Sequence, residues 1–437
     1  MSPFPRRYAV LFAVAIAVLS PVTRHLSPAV HADLFSYVAK PDDAFKWELR
    51  ETQEKPNGKI YDLHMVSQVW QGITWEHSVQ VYEPKDLKYP KVLPLMITGG
   101  SPGADDQGLG LMIANLVGAR IAVLYNIPNQ PLFDGLSEDA LISYTWVKYL
   151  ETGDEDWVVN FAMTKATVRA MDCLDAFAKQ QWNTQLEGFV PFGASKRGWT
   201  TYLTGCVAPE RCVGIAPMVF DILNMPVQIQ HQKDFWGDYS PMIDDYTEKG
   251  IQNIIDTPRG FRLSWMVDPY NFRDRLTMPK LVILGSNDPY WPTDAVNFYY
   301  PGLAIPKLLL IDPNSGHGLD DLMRVAGSLG SFFTLLAEKQ PLPSPVWQWD
   351  ETADGLKLTV TGNPKPDETR LWVARNQKRD FRPAKWAEQP LPAEGEAFVV
   401  EVPRADAEYT AAYGELVYKV GAQRLTVSTQ PYVLHPK

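Results

Sequence analysis

Phe192 to Thr200 reads "FGASKRGWT", and the reading of its serine decides the fold. An apolar run, "GFVPFGA", leads into Ser195, and "KRGWTTYLTG" behind it has the make-up of a helix. A serine between a strand and a helix stands on a sharp turn that lifts its hydroxyl clear of the backbone. Gly193 allows such a turn, and Gly198 lets the new helix pack closely on the sheet. The usual pattern has a glycine two places after the serine, but here Arg197 holds that place and the glycine comes one later. Ser195 is therefore either a nucleophile or a polar residue of a glycine-containing loop, and the rest of the chain must supply a base and an acid to decide.

A serine hydroxyl attacks only when a base takes its proton, and the base needs a carboxylate to fix its tautomer and stabilise its charge. In the α/β-hydrolase fold these groups follow the order serine, acid, histidine, each just after a strand. Asp288 follows "KLVILGSN", and His317 follows "KLLLIDPNSG" with a glycine on each side. Beyond residue 32 the other histidines are His64, His77, His231 and His435, and none of these stands behind a late strand between glycines. Ser195, Asp288 and His317 are thus the expected triad. The expected oxyanion donors are the backbone N–H groups of Lys196 and of Gly100, the latter in the loop "TGGS" that otherwise reads as a plain glycine turn.

The surrounding pattern fits an α/β sheet. "KIYDLHMVSQVWQGITWEHSVQVYEP" alternates apolar and polar residues and predicts antiparallel strands with a turn near Gly72. "KVLPLMITGG" and "ARIAVLYNIP" are short apolar runs with a helical stretch between them, which predicts a parallel β-α-β arrangement. Ser137 to Lys179 predicts helix, with Ser137 as N-cap and Glu138 and Asp139 in the first turn. "CVGIAPMVFD", "KLVILGSND" and "KLLLIDPNSGHG" complete the strands. Residues 222–278 interrupt the rhythm and read as an insertion or lid, or else as ordinary connecting helices. Residues 341–350 lie in a proline-rich stretch that reads as a linker. Residues 351–437 show short alternating strands that predict a β-sandwich, so that residues 33–340 form the α/β-hydrolase domain.

Several neighbours of the nucleophile are candidates for substrate binding. Lys196 and Arg197 either meet an anionic group of the substrate or pair with acids along the helix surface. Trp199 and Trp291 are expected to line the cleft, with Trp236 and Trp265 as further candidates, although core packing is the commoner role of a tryptophan. Asp221 ends a strand, where it either orients His317 or the lid, or caps the next helix.

"GASKRGWTT", "VDPYNFRDRLTMPKLVILGSND", "DDYTEKG", "DPNSGHG", "SEDALISYTWVKYLETGDEDW" and "MITGGS" together resemble the PhoPQ-activated pathogenicity-related protein family. The likeness covers roughly residues 35 to 430. It implies a hydrolase of bacterial envelopes with a C-terminal β-domain, a nucleophile at Ser195, an acid at Asp288 and a base at His317. It implies no particular substrate. The acid loop "NDPYWPTD" departs from the Gly-Asp-Glu-Phe-like run of that pattern, so Asp294 is a second candidate for the acid.

The N-terminus has Arg6 and Arg7, the apolar run "YAVLFAVAIAVLS" and the small-residue site "VHA", the layout of an export signal cleaved after residue 32. The run is short for a bilayer span, so a periplasmic or secreted protein without a membrane anchor is expected. The whole chain carries a formal charge of −10, and loss of three arginines with the signal would take it to −13. Such a surface disfavours nucleic acid as a partner and leaves a small molecule, ester or peptide as the expected substrate. Cys206 and Cys212 are spaced for a small-loop disulfide in an oxidising compartment, whereas Cys173 reads as a buried thiol. No metal-ligand spacing or nucleotide fingerprint is present, so no cofactor is expected. The expected activity is cleavage of an ester or amide through an acyl-enzyme. The alternative is a binding protein that keeps the scaffold without the chemistry.

Overall fold

The computed structural model describes residues 33–437, so the export signal expected at the N-terminus lies outside the described residues. The alternating segment forms three antiparallel strands: β1 (Lys46–Lys55), β2 (Gly58–Trp70) and β3 (Ile73–Pro84). The turn between β2 and β3 places Gln71 at φ 50° and Gly72 at φ 75°, the left-handed pair that a two-residue hairpin needs. The strands β4 (Val92–Ile97), β5 (Ile121–Leu124), β6 (Gly188–Ala194), β7 (Ala216–Met218), β8 (Lys280–Gly285) and β9 (Lys307–Asp312) pair in parallel. The nine strands form one mixed sheet in the order β1-β2-β3-β5-β4-β6-β7-β8-β9, with β3 antiparallel to β5. The central parallel strands are apolar on both faces because helices cover both.

The helices are α1 (Leu34–Ala39), α2 (Ala104–Val117), α3 (Glu138–Thr152), α4 (Val159–Trp182), α5 (Lys196–Val207), α6 (Met225–Trp236), α7 (Asp244–Thr247), α8 (Pro258–Val267) and α9 (Leu322–Ala337). α1, α4 and α5 pack together beneath the sheet, and α2 packs beside α9 on the opposite face. The long helix expected over 137–179 is split. Gly153 takes φ 79° and ends α3, and a short 3-10 turn precedes α4. Ser137 stands at the N-cap of α3, but its side chain makes no capping bond.

Residues 225–275 carry α6, α7, α8 and several 3-10 turns, and side chains from this stretch share a cavity with Ser195. Asp268 pins the start of α6 by accepting from Met225 N at 2.8 Å and from Asn224 N at 3.3 Å, and it also accepts from Tyr270 N at 2.9 Å.

Beyond α9 the chain forms two antiparallel sheets. One contains β10 (Val346–Glu351), β11 (Gly355–Thr361), β14 (Ala393–Glu394) and β15 (Ala397–Pro403). The other contains β12 (Glu368–Asn376), β13 (Ala387–Pro390), β16 (Tyr409–Val420), β17 (Gln423–Ser428) and β18 (Tyr432–Leu434). The first of these strands begins at Val346, inside the stretch expected as a linker. β17 packs on α9 and β9, and Ile311 N donates to Ser428 Oγ at 2.9 Å. Glu415 is fully buried and is met by Arg324, by Arg370 at 2.7 Å and by the Trp372 indole at 3.1 Å, so its charge is paired across the join.

Candidate active site

Ser195 lies between β6 and α5 with φ 59° and ψ −124°. A non-glycine residue held in such a conformation costs about 1–3 kcal/mol and persists only where its surroundings determine it. Here they do: Ser195 N donates to Met218 O at 2.9 Å, and Trp199 N donates back to Ser195 O at 3.0 Å. A methyl at Gly193 would stand 2.9 Å from Ile97 O and 2.8 Å from Arg197 Cβ. A methyl at Gly198 would stand 2.6 Å from Met218 O. The late glycine is thus the point at which α5 crosses β7 closely, one place beyond its usual position.

His317 Nε2 lies 2.9 Å from Ser195 Oγ, and its Nδ1 lies 2.7 Å from Asp288 Oδ2. With Nδ1 protonated and donating to the carboxylate, Nε2 is free to accept from the serine hydroxyl. Asp288 is fixed in turn by Tyr290 N, which donates to its Oδ1 at 2.9 Å. The Tyr290 ring lies against the imidazole at 4.2 Å between centroids. Ser195, His317 and Asp288 are therefore brought together as expected. Asp294 is not: its Oδ1 lies 2.7 Å from Nε2 of His231 on α6, and Arg379 stands 3.7 Å from its other oxygen.

Lys196 and Arg197 turn inward to acids. Lys196 Nζ donates to Asp139 at 2.6 Å and lies 3.5 Å from Glu138. Burial works to lower its pKa, yet Asp139 holds it above the ordinary lysine value, so the side chain stays charged. Arg197 grips Glu138 with both terminal nitrogens, at 2.7 and 2.6 Å, and donates Nε–H to Ile127 O at 2.6 Å. A methyl at Gly99 would fall 1.5 Å from the guanidinium. Arg197 thus pairs with an acid, the second of its two expected roles, and packs closely against the loop behind β4 at Gly99. Glu138 reaches it from φ 53°, its N–H donating to Gln130 Oε1 at 2.9 Å.

Burial raises the Glu138 carboxyl, but the Arg197 guanidinium more than offsets this and holds it at about 2, below an ordinary value of 4.5. Because the folded-state value is depressed, the stabilisation is complete above pH 4.5 and is lost as pH falls toward 2. Glu138→Gln should therefore flatten the acid-unfolding profile in that window, as followed by circular dichroism. Arg197→Gln should cost about 2 kcal/mol of stability, less than a fully buried pair because the Glu138 side chain is 39% exposed. Its loss of turnover should be equal on anionic and neutral esters, and a selective loss on anionic ones would restore the recognition role.

A cavity of about 110 Å³ opens beside Ser195 and His317, with Lys196, Trp199 and Trp291 among its walls. Trp199 is stacked on Phe220 at 4.9 Å and donates to Val267 O at 2.6 Å. Gly100 is not among those walls. It borders a second cavity between the sheet, α2 and α9, and its N–H points at Thr98 Oγ1 at 3.4 Å. Asp221 also lies elsewhere, behind the acid loop in a small space shared with Asp288, Trp386 and Tyr413. Burial pushes its carboxyl well above the usual range, Tyr299 works against this, and Asp288 and Asp294 add to it. Asp221 thus stands at the back of the site, among the residues around Asp288 and not among the walls of the Ser195 cavity. Trp236 lies under Arg382 at 4.0 Å, and Trp265 packs on Phe272 at 5.1 Å, so neither lines the cavity.

The model of the PhoPQ-activated pathogenicity-related protein family matches residues 34–382. The chain belongs to this family. A relative, the autocrine proliferation repressor protein A of Dictyostelium discoideum, is 35% identical over 378 residues, which are 80% of this chain and 76% of that one. Among solved structures, an S-formylglutathione hydrolase from Agrobacterium tumefaciens is similar with a TM-score of 0.46 at 14% identity, over 67% of this chain and 100% of that one. Acetyl xylan esterase 1 from a Thermoanaerobacterium species is similar with a TM-score of 0.47 at 17% identity, over 67% and 88% of the two chains.

In this family member Cys173, Cys206 and Cys212 are all buried free thiols. The disulfide considered for Cys206 and Cys212 is absent: Cys206 Sγ turns instead toward the carbonyls of Phe272 and Pro269, at 3.9 and 4.0 Å. Sequence reasoning missed Asn287 and Asn314. Asn287 Nδ2 donates to the carbonyls of Phe381, Arg382 and Ala384, at 2.9, 3.1 and 2.7 Å. Asn314 exchanges two bonds with the Trp386 backbone, at 3.0 and 2.7 Å. Their places beside the acid and the base were the available signal.

Proposed function

We propose that the protein is an exported serine hydrolase of the α/β-hydrolase fold, with the two C-terminal sheets as an accessory β-sandwich. It cleaves an ester or amide of a small-molecule or peptide substrate through an acyl-enzyme. The observation that carries this reading is the hydrogen-bonded series from Ser195 Oγ through His317 to Asp288, built on a strained turn that a merely structural serine does not need. Ser195 Oγ attacks the carbonyl carbon while its proton passes to His317 Nε2. The tetrahedral intermediate then collapses as His317 returns that proton to the leaving group. Water attacks the acyl-enzyme by the same route and frees Ser195. The Lys196 N–H at the start of α5 is one donor to the oxyanion, aided by the positive end of the helix. The loop at Gly99, against which Arg197 packs, is the candidate source of the second.

Incubation of the folded protein with a fluorophosphonate, followed by intact-mass spectrometry, tests the reading. One adduct on the wild type and none on Ser195→Ala is expected. An unlabelled folded wild type, or an adduct that survives the substitution, would sink it.

A further inference from the structure

Beyond the class of reaction, the walls of the Ser195 cavity select the substrate. We infer that this hydrolase takes substrates with one small uncharged apolar arm, of about four carbons or a compact branched equivalent. The inference rests on the hydrolase reading and deepens it.

The cavity is walled by α5 and by the helices of residues 225–275, which cover the nucleophile on this side. Its walls include Ile222, Met225, Ile243, Ile251, Ile254 and Leu263, with aromatic faces from Trp199 and Phe220. Uncharged apolar walls lose little by meeting an alkyl group and would strip the water from a charged one without repayment. The charged groups that do reach the cavity are already neutralised. Lys196 is held by Asp139 at 2.6 Å, and Asp139 also accepts from Tyr246 Oη at 2.9 Å. Neither offers a free charge to a substrate carboxylate or phosphate.

Size narrows the class further. An apolar cavity of roughly 150 Å³ takes up benzene. The space here is about 110 Å³, which leaves room for a chain or branch of about four carbons. Acetyl would leave the far end empty, and a long acyl chain would have to displace the lid.

Two series of neutral esters read this directly. One is p-nitrophenyl esters from acetate to decanoate, and the other is alkyl acetates from methyl to octyl. A succinate half-ester of p-nitrophenol supplies the anionic arm. In one of the two series kcat/KM should peak near the butyl or branched pentyl member, at least about tenfold above the shortest member. The anionic arm should fall at least about tenfold below the neutral ester of equal length. Which series peaks tells whether the acyl or the alcohol arm enters. Ile251→Ala combined with Ile254→Ala removes half-buried lid side chains and should move the optimum toward longer chains, with the shortest ester little changed. A flat profile, a maximum at the shortest member in both series, or preference for the succinate ester overturns the inference. These outcomes are separate from failure of the hydrolase reading, because the fluorophosphonate adduct on Ser195 is read without any ester: a labelled protein with the wrong profile defeats the pocket argument alone.

Discussion

Ser195→Ala should lower kcat on its best ester by about 10⁴- to 10⁶-fold and leave the protein folded. The serine side chain makes one bond, to His317, and its strained backbone is held by Met218 O and the two close glycine contacts rather than by its hydroxyl. Alanine keeps the Cβ and loses only the nucleophile. The same experiment on the two aspartates is sharper still. Asp288→Asn should cost about 10⁴-fold, because an amide facing Nδ1 favours the tautomer whose Nε2 can no longer accept the serine proton. Asp294→Asn should change kcat by less than about tenfold, since Asp294 stands in hydrogen-bond reach of His231 and not of His317. Its cost should appear as a lower melting temperature, from loosening the link between α6 and the acid loop. Steady-state kinetics on the three variants, alongside thermal unfolding, reads all of this. A collapse of turnover in Asp294→Asn with activity retained in Asp288→Asn would reverse the assignment of the acid.

What was legible in the sequence follows from the range of the interactions. Strand and turn are local matters, so the apolar runs before Ser195, Asp288 and His317 marked three strand ends, and the order of the residues marked their chemistry. The meeting of Lys196 and Arg197 with Asp139 and Glu138 was not legible. Those acids come 58 or so residues earlier, at a helix start where acidic residues are expected for another reason. Nothing local says that Glu138 takes a left-handed φ and turns its carboxylate across the sheet end to the guanidinium. The cysteine pair misled in the opposite way. Close spacing suggested a bond, but both thiols are buried and free, and that of Cys206 on α5 turns to the carbonyls of Phe272 and Pro269. The tryptophans were ambiguous because one residue type serves both core and cleft. Trp199 and Trp291 line the cavity, while Trp236 and Trp265 pack against neighbouring side chains.

The C-terminal sheets pose the question of what they do for a triad that they do not supply. Asn287→Ala and Asn314→Ala should each lower kcat by roughly 10²-fold with KM nearly unchanged, because small displacements of reacting groups carry that cost. Asn287 immediately precedes the acid, and Asn314 stands three residues before the base. Their side chains bind the backbone of residues 381–386, a loop between β12 and β13. Ser286 ties the two loops together: its Oγ donates to Asn287 Oδ1 at 2.6 Å and accepts from Asn314 N at 2.8 Å. The same loop reaches α6, where Arg379 and Arg382 lie over Phe235 and Trp236 at 4.2 and 4.0 Å. The segment between β12 and β13 therefore meets the acid loop, the base loop and α6 at once. Loss of the Asn287 amide leaves three inward carbonyls without that donor, so about 1–3 kcal/mol of stability should go with the rate. A purely structural role predicts the stability loss alone. The distinguishing measurement is the second-order rate of fluorophosphonate labelling in the folded variants, below their melting temperatures. That rate should fall in step with kcat, since both require His317 to be poised on Ser195. Unchanged labelling and kcat in a destabilised variant would reduce the contact to a support for the fold. A parallel fall would make the C-terminal sheets part of the positioning of the triad.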